Sequence, residues 1–178
     1  MKRTLIVLVF SLLVLACTFA EVDIDIVAKV SPYSLQTVRT AGGTYVSDYG
    51  YGIAGGFRAD VWNNVTAGLD LNIGFYKFDE LDKDYIVVSL RGTAGYRYDF
   101  TEKLYANADL GLGLDLRKVG SVKNTSLGLN LYMGCGYRLS DEFALTGGLD
   151  LALCFQTSKK SSSTDFALRT QLGLAMAL

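Results

Sequence analysis

From Tyr49 to the last residue, apolar side chains recur at every second position. Tyr49, Tyr51, Ile53, Gly55, Phe57, Ala59 and Val61 alternate with Gly50, Gly52, Ala54, Gly56, Arg58 and Asp60. After Asn63-Asn64, Val65, Ala67, Leu69, Leu71, Ile73 and Phe75 alternate with Thr66, Gly68, Asp70, Asn72, Gly74 and Tyr76. Successive side chains of a strand point to opposite faces, so each run is a strand with one greasy face and one polar, glycine-rich face. Further apolar sets run from Ile86 to Tyr98, Leu104 to Leu116, Leu127 to Leu139, Leu145 to Phe155 and Phe166 to Leu178. A less regular one, Val22, Ile24, Ile26, Ala28 and Val30, comes first and is followed by Pro32, the only proline. Proline, which lacks a ladder donor, is best tolerated near the end of a strand. No run repeats at three and four residues, and glycine interrupts every segment after the first, so helices are excluded.

Eight such runs, each at least as long as the roughly 9–11 residues a tilted strand needs to cross a bilayer, predict an all-β fold: an eight-stranded antiparallel up-and-down transmembrane β-barrel. The expected connections alternate in length. Residues 63–64, 99–103 and 139–143 are short; residues 38–48, 77–84, 117–125 and 157–165 are longer and polar. Tight periplasmic turns and larger external loops have this asymmetry. A lipocalin also has eight antiparallel strands, but it turns its apolar side chains inward. Here the apolar face is the bulkier and more continuous, and the polar face carries charges that match in sign. Lipid outside and a polar interior is the cheaper assignment. Aromatics at the strand ends, Tyr49, Phe75, Phe78 and Tyr85 at one end and Trp62, Tyr98, Phe100 and Phe143 at the other, are expected to form two interfacial belts.

The chain opens with an export signal. Lys2 and Arg3 precede the apolar stretch Leu5–Ala16, and Thr18-Phe19-Ala20 places small residues ahead of a cut before Glu21. Residues 1–20 are expected to be a cleaved signal peptide and residues 21–178 the barrel. An uncleaved anchor is disfavoured, because the apolar stretch is shorter than the roughly 20 residues of a spanning helix. Acylation of Cys17 after Leu15-Ala16 is the remaining alternative. Beyond it, Cys135 and Cys154 fall on opposite strand faces and are expected to stay free thiols.

The strongest internal signal is a hairpin repeat of about 40 residues. Gly56-Phe57-Arg58 precedes Leu69-Asp70-Leu71, Gly95-Tyr96-Arg97 precedes Ala108-Asp109-Leu110, and Gly136-Tyr137-Arg138 precedes Leu149-Asp150-Leu151. The separation from Arg to Asp is 12 residues each time. A weaker copy, Arg169 with Asp25, spans the closing seam. Antiparallel pairing is expected to set Arg58 against Asp70, Arg97 against Asp109, Arg138 against Asp150 and Arg169 against Asp25. This places a layer of lumen ion pairs on the order of 15 Å from the periplasmic rim. Its expected role is structural, since a narrow barrel is filled by its own side chains and an enclosed charge persists only when paired. Gly68, Gly111, Gly134 and Gly148 leave room for Tyr76, Tyr105 and Tyr132 to fold inward.

The whole of residues 21–178 resembles the small bacterial outer-membrane barrels: the OmpX and OmpA-membrane-domain type, the opacity adhesins and the OmpW type. The final segment, Leu172-Gly173-Leu174-Ala175-Met176-Ala177-Leu178, is similar to the C-terminal strand signal read by the barrel-assembly machinery, although it ends in Leu178 rather than an aromatic residue. The resemblance implies an outer-membrane location and that machinery as a partner during biogenesis. It fixes architecture rather than function.

The function classes separate by residue type. Barrels of this resemblance that are lipid A acyltransferases or deacylases use His, and this chain has none. Ser161, Ser162 and Ser163 sit beside Lys159 and Lys160 with no base to activate them. The GTAG at 92–95 lies inside a strand, so its glycines relieve crowding rather than cradle a phosphate. No catalytic, cofactor-binding or metal-binding residue is expected, and no cofactor. The near-neutral formal charge of −1 offers no field to recruit nucleic acid. The expected partner is outer-membrane lipid around a monomer. The reading is a structural or surface-exposed barrel with at most narrow passive pore activity. The alternatives are an adhesin meeting host or envelope polyanions through Arg117, Lys118, Lys123, Lys159 and Lys160 in the external loops, and an OmpW-like passage for small apolar molecules.

Overall fold

The computed structural model describes residues 23–40, 42–78, 83–120, 122–157 and 162–178. The expected signal peptide, Cys17, Lys159, Lys160 and Ser161 lie outside them. The described chain is strand almost throughout: β1 (Ile24–Ser31), β2 (Ser34–Thr40), β3 (Gly43–Val46), β4 (Tyr49–Trp62), β5 (Val65–Phe78), β6 (Lys83–Asp99), β7 (Leu104–Val119), β8 (Val122–Arg138), β9 (Phe143–Thr157) and β10 (Ser162–Ala177). From β4 to β10 each strand pairs antiparallel with the next, and β1 pairs with both β4 and β10, which closes the sheet into a barrel.

Ten segments make eight staves. β1 and β2 both lie along β10, and β3 leads into β4. The first stave breaks at Pro32-Tyr33. Lys29 stands opposite Gly173 and Ser34 opposite Arg169, so five residues of this stave span four of β10. This is a β-bulge, placed where Pro32 has no N–H to give. Ser31 and Ser34 face inward on either side of it, and Pro32 and Tyr33 both point out. The second stave breaks likewise. Ser47 and Gly50 face inward, with Asp48 and Tyr49 exposed between them. Between these staves the ladder stops at Ser31–Gly52 and resumes at Thr37–Val46. Across the gap, Ser47 donates its backbone N–H to the carbonyl of Gln36, and Gln36 donates its own to Ser47 Oγ, both at 2.8 Å.

The short connections fall where expected, at one end of the barrel, here the turn end. Asn63 and Asn64 take φ of 39° and 69°, which lets a two-residue turn follow the strand twist. At the opposite, loop end the strands run much further than expected. β7 and β8 extend to Val119 and Val122, so residues 117–119 and 122–125 are strand rather than loop; Gly120 has φ 56°. β2 and β3 form a hairpin within 38–48, and β5 and β6 reach Phe78 and Lys83.

Outward side chains are apolar and exposed around the circumference, as at Leu110, Leu114, Leu145 and Leu172. Trp62, 72% exposed, stands at the turn end with Tyr98, Phe100 and Phe143. The expected belt at the loop end needs correction. Tyr49 is exposed, but Phe78 and Tyr85 point inward, their rings edge to face at 5.4 Å. With Tyr76, Val87, Val38, Tyr45 and Val119 they form an apolar cap inside the barrel mouth.

Candidate functional site

The interior is the chemically distinctive part of the molecule. Every strand sends its polar set inward, and the glycines of that set let long side chains cross the axis. At Gly113 an added Cβ would lie 1.9 Å from the carbonyl oxygen of Leu90, and at Gly136 it would lie 2.1 Å from the Tyr105 ring. Tyr76, Tyr105 and Tyr132 fold inward over such positions and are buried.

From the turn end upward the charges form successive clusters. Arg97 on β6 pairs with Asp25 on β1 and, at 3.0 Å, with Asp60 on β4. Arg138 on β8 reaches Asp99 at 2.7 Å and the carbonyl of Glu102 at 2.8 Å. Both guanidiniums lie over the Tyr105 ring. Above them Arg58 on β4 crosses the lumen to Asp109 on β7 at 2.5 Å. Asp109 also accepts from Asn107 and Thr66. Lys29 stands 3.9 Å from Asp70 and 4.3 Å from the centre of the Tyr132 ring. Arg169 donates to Asp150 at 2.8 Å and to the Tyr76 hydroxyl at 2.9 Å, and Asn130 donates to the same carboxylate. Arg91 holds Asp115 at 2.9 Å beside the Cys154 thiol. Nearest the mouth, Arg117 on β7 crosses to Asp165 on β10 at 2.6 Å, and Tyr85 and Gln36 donate to that carboxylate as well.

All eight residues of the expected Arg/Asp layer are therefore in ion pairs, but none of the four expected pairings forms. Asp70 takes Lys29, Arg58 takes Asp109, Arg97 takes Asp25 and Asp60, Arg138 takes Asp99, and Arg169 takes Asp150. Register is the reason. Arg58 stands opposite Gly68, Arg97 opposite Asn107 and Arg138 opposite Ala144, while Asp150 stands directly opposite Arg169. Nor is there a single layer: the charges fill most of the barrel's height. Lys29, Asp60, Arg91, Asp99, Asp115 and Asp165 join them, each at a position whose strand phase already points inward.

Arg117 needs a second correction. Expected in an external loop, it is a strand residue, 4% exposed and paired inside. Lys118 and Lys123 are exposed on the outer face, directly opposite one another on β7 and β8. The interior widens at both ends. A vestibule of about 420 Å³ at the turn end is walled by Asp25, Asp60, Arg97, Asp99, Arg138 and Glu142. A pocket of about 160 Å³ at the loop end lies over Arg117 and Tyr85. Midway, a cavity of about 20 Å³ is bounded by Lys29, Asp70, Asn72, Ser89, Asn130 and Gln171. That is roughly the volume one water needs. Among the described residues no group of three His, Cys, Asp or Glu side chains is placed to hold a metal. The free thiols stand apart, Cys135 outside and Cys154 inside.

Residues 54–178, well over half the chain, match the outer membrane protein beta-barrel domain family. The chain belongs to that family. This outer-membrane barrel also superposes on solved ones. Neisserial surface protein A matches with a TM-score of 0.63 at 16% identity, over 86% of this chain and 96% of that one. A major outer membrane protein from Thermus thermophilus matches with a TM-score of 0.54 at 11% identity, over 89% and 100%. Ail, the attachment invasion locus protein of Yersinia pestis, solved in complex with the heparin analogue sucrose octasulfate, matches with a TM-score of 0.50 at 15% identity, over 88% and 99%. Identities this low establish the shared fold and nothing finer. No curated protein matches the barrel by sequence. Its place is the bacterial outer membrane.

Proposed function

We propose that the protein serves as a structural or surface-exposed outer-membrane barrel whose interior is closed by its own ion pairs, with at most narrow passive leakage. The observation that carries this reading is that three pairs cross the lumen at different heights, Arg97 to Asp25, Arg58 to Asp109 and Arg117 to Asp165. Each ties strands that are not neighbours and obstructs the axis. Among the described residues seven interior cations (Lys29, Arg58, Arg91, Arg97, Arg117, Arg138, Arg169) face eight carboxylates (Asp25, Asp60, Asp70, Asp99, Asp109, Asp115, Asp150, Asp165). Such a balanced set holds itself in place, because opening it would leave charges unpaired in a low-dielectric interior. The same pairing argues against catalysis: the interior carboxylates and guanidiniums hold one another rather than a substrate.

In this reading residues 1–20 are a cleaved export signal. The assembly machinery folds the chain, the turn end faces the periplasm, and the barrel stands in lipid as a monomer. Liposome swelling tests the closure. Vesicles carrying the barrel should take up a small neutral sugar no faster than empty ones, and rapid uptake would show an open lumen.

A second reading, binding of surface polyanions, is favoured by the exposed lysines Lys118 and Lys123. The fold-mate Ail was crystallised with a sulfated sugar, which fits but does not require it.

A further inference from the structure

Lys118 and Lys123 are directly opposite each other in the β7–β8 ladder, both on the outer face. Like charges facing each other across strands destabilise a sheet. Among the described residues neither lysine is in an ion pair, whereas the comparable outward position between β5 and β6 sets Lys77 against Asp84.

Height decides what the pair meets. On β7 the outward residues Leu104, Ala106, Ala108, Leu110, Leu112, Leu114 and Leu116 are all apolar, and Lys118 is the next outward position. Leu104 to Leu116 covers on the order of 40 Å of strand, or roughly 30 Å of height at the usual tilt. That is about the thickness of the hydrocarbon layer. Lys118 then stands about 5 Å beyond it, among the headgroups. On β8 the outward series Tyr137, Cys135, Met133, Leu131, Leu129 and Leu127 ends in the same way, with Thr125 and Lys123 above it.

We propose that Lys118 and Lys123 form a two-lysine clamp for a phosphate group on a lipid of the outer leaflet. One phosphate between the two ammonium groups turns a mutual repulsion into two attractions, and lysine serves such a group as a point charge. The occupant is a lipid rather than a soluble polyanion because the clamp looks sideways along the membrane, directly above Leu116 and its ladder partner Thr125, with Leu114 and Leu127 next below. The proposal rests on the orientation given above, with the loop end outermost.

The test uses the mature barrel in phosphatidylcholine nanodiscs doped with lipid A, a phosphorylated lipid. Lipid retained on the protein is measured by native mass spectrometry. Lys118→Gln with Lys123→Gln should lower lipid A retention roughly 30-fold at low salt, from about fivefold per lysine near an anionic surface. Lys103→Gln, at the turn end, should leave it unchanged. Lipid A stripped of its phosphates should not be retained, and soluble tripolyphosphate should not bind barrels in pure phosphatidylcholine. Lys118→Glu, which sets a carboxylate opposite Lys123, should raise the melting temperature in zwitterionic detergent while abolishing lipid A retention. Equal retention by the double variant and the unaltered barrel would overturn the clamp. So would retention without phosphates, or tripolyphosphate binding as tight as that of the lipid. These readouts do not depend on conductance, so the clamp can fail while the closed lumen stands.

Discussion

Arg58 and Asp109 are 51 residues apart in sequence and lie on strands β4 and β7, yet their side chains meet at 2.5 Å across the centre of the barrel. Their side chains are 8% and 2% exposed. The pair is a strut across the lumen, and its removal should be felt in stability.

Arg58→Ala leaves Asp109 enclosed with only Asn107 and Thr66 as donors. It should destabilise the barrel by about 3–5 kcal/mol, the usual cost of orphaning one partner of a buried pair. Arg138→Ala breaks a pair whose side chains are 32% and 40% exposed, and should cost no more than about 1 kcal/mol. Urea unfolding in lipid vesicles compares the two. Removing both charges, Arg58→Met with Asp109→Leu, should recover much of the loss.

Glycine marks where the interior is tightest. At Gly113 a Cβ would overlap the Leu90 carbonyl, and backbone cannot swing aside, so Gly113→Ala should cost about 1–3 kcal/mol. Gly92 points outward with no heavy atom within 4 Å of a built Cβ, so Gly92→Ala should be neutral or slightly stabilising. The same unfolding assay reads both. Equal losses would contradict the inward and outward assignment of β6 and β7.

Trp62 is the only tryptophan and sits in the turn-end belt. Lipids brominated near the headgroup should quench its fluorescence more than lipids brominated near the chain terminus. Stronger quenching from the bilayer centre would displace the belt and with it the membrane position of the whole barrel.

The two thiols give a separate check on the faces. In folded vesicle-bound protein a water-soluble maleimide should label neither, because Cys135 faces lipid and Cys154 lies beside Asp115 and Arg91. After unfolding in dodecyl sulfate both should react, and non-reducing gels should show no disulfide.

The faces of the strands are readable in the sequence, and their pairing is not. Leu69, Leu71 and Ile73 against Asp70 and Asn72 state which way each side chain points, because the period of two is local. The partner of Arg58 depends on where the turn is centred. The turn at Asn63 and Asn64, both at positive φ, sets Trp62 opposite Val65; a bulge between Asp60 and Trp62 then shifts the register by one, so that Arg58 falls opposite Gly68 and Asp70 opposite Gly56. The small neighbour then lets the guanidinium swing inward, and closure of the barrel brings Asp109 within its reach. The constant spacing of 12 residues between Arg and Asp conceals this, since it looks the same whether a pair is neighbouring or crossed. The bulges at Pro32-Tyr33 and Asp48-Tyr49 are hidden for a related reason: each inverts the phase within one residue, the first just past the weakly alternating first run and the second where the polar stretch 38–48 reads as a loop. Arg117 reads as a loop residue because it adjoins Lys118, Gly120 and Lys123. Its place between Leu116 and Lys118, in phase with Asp115, already puts it inside.

The most direct test of the closed interior is single-channel recording in a planar bilayer, comparing the unaltered barrel with Arg58→Ala and Arg117→Ala combined. A closed interior gives a silent baseline for the unaltered protein and discrete openings once these two of its crossing struts are gone. Steady, large conductance from the unaltered barrel, unchanged by the two substitutions, would contradict it.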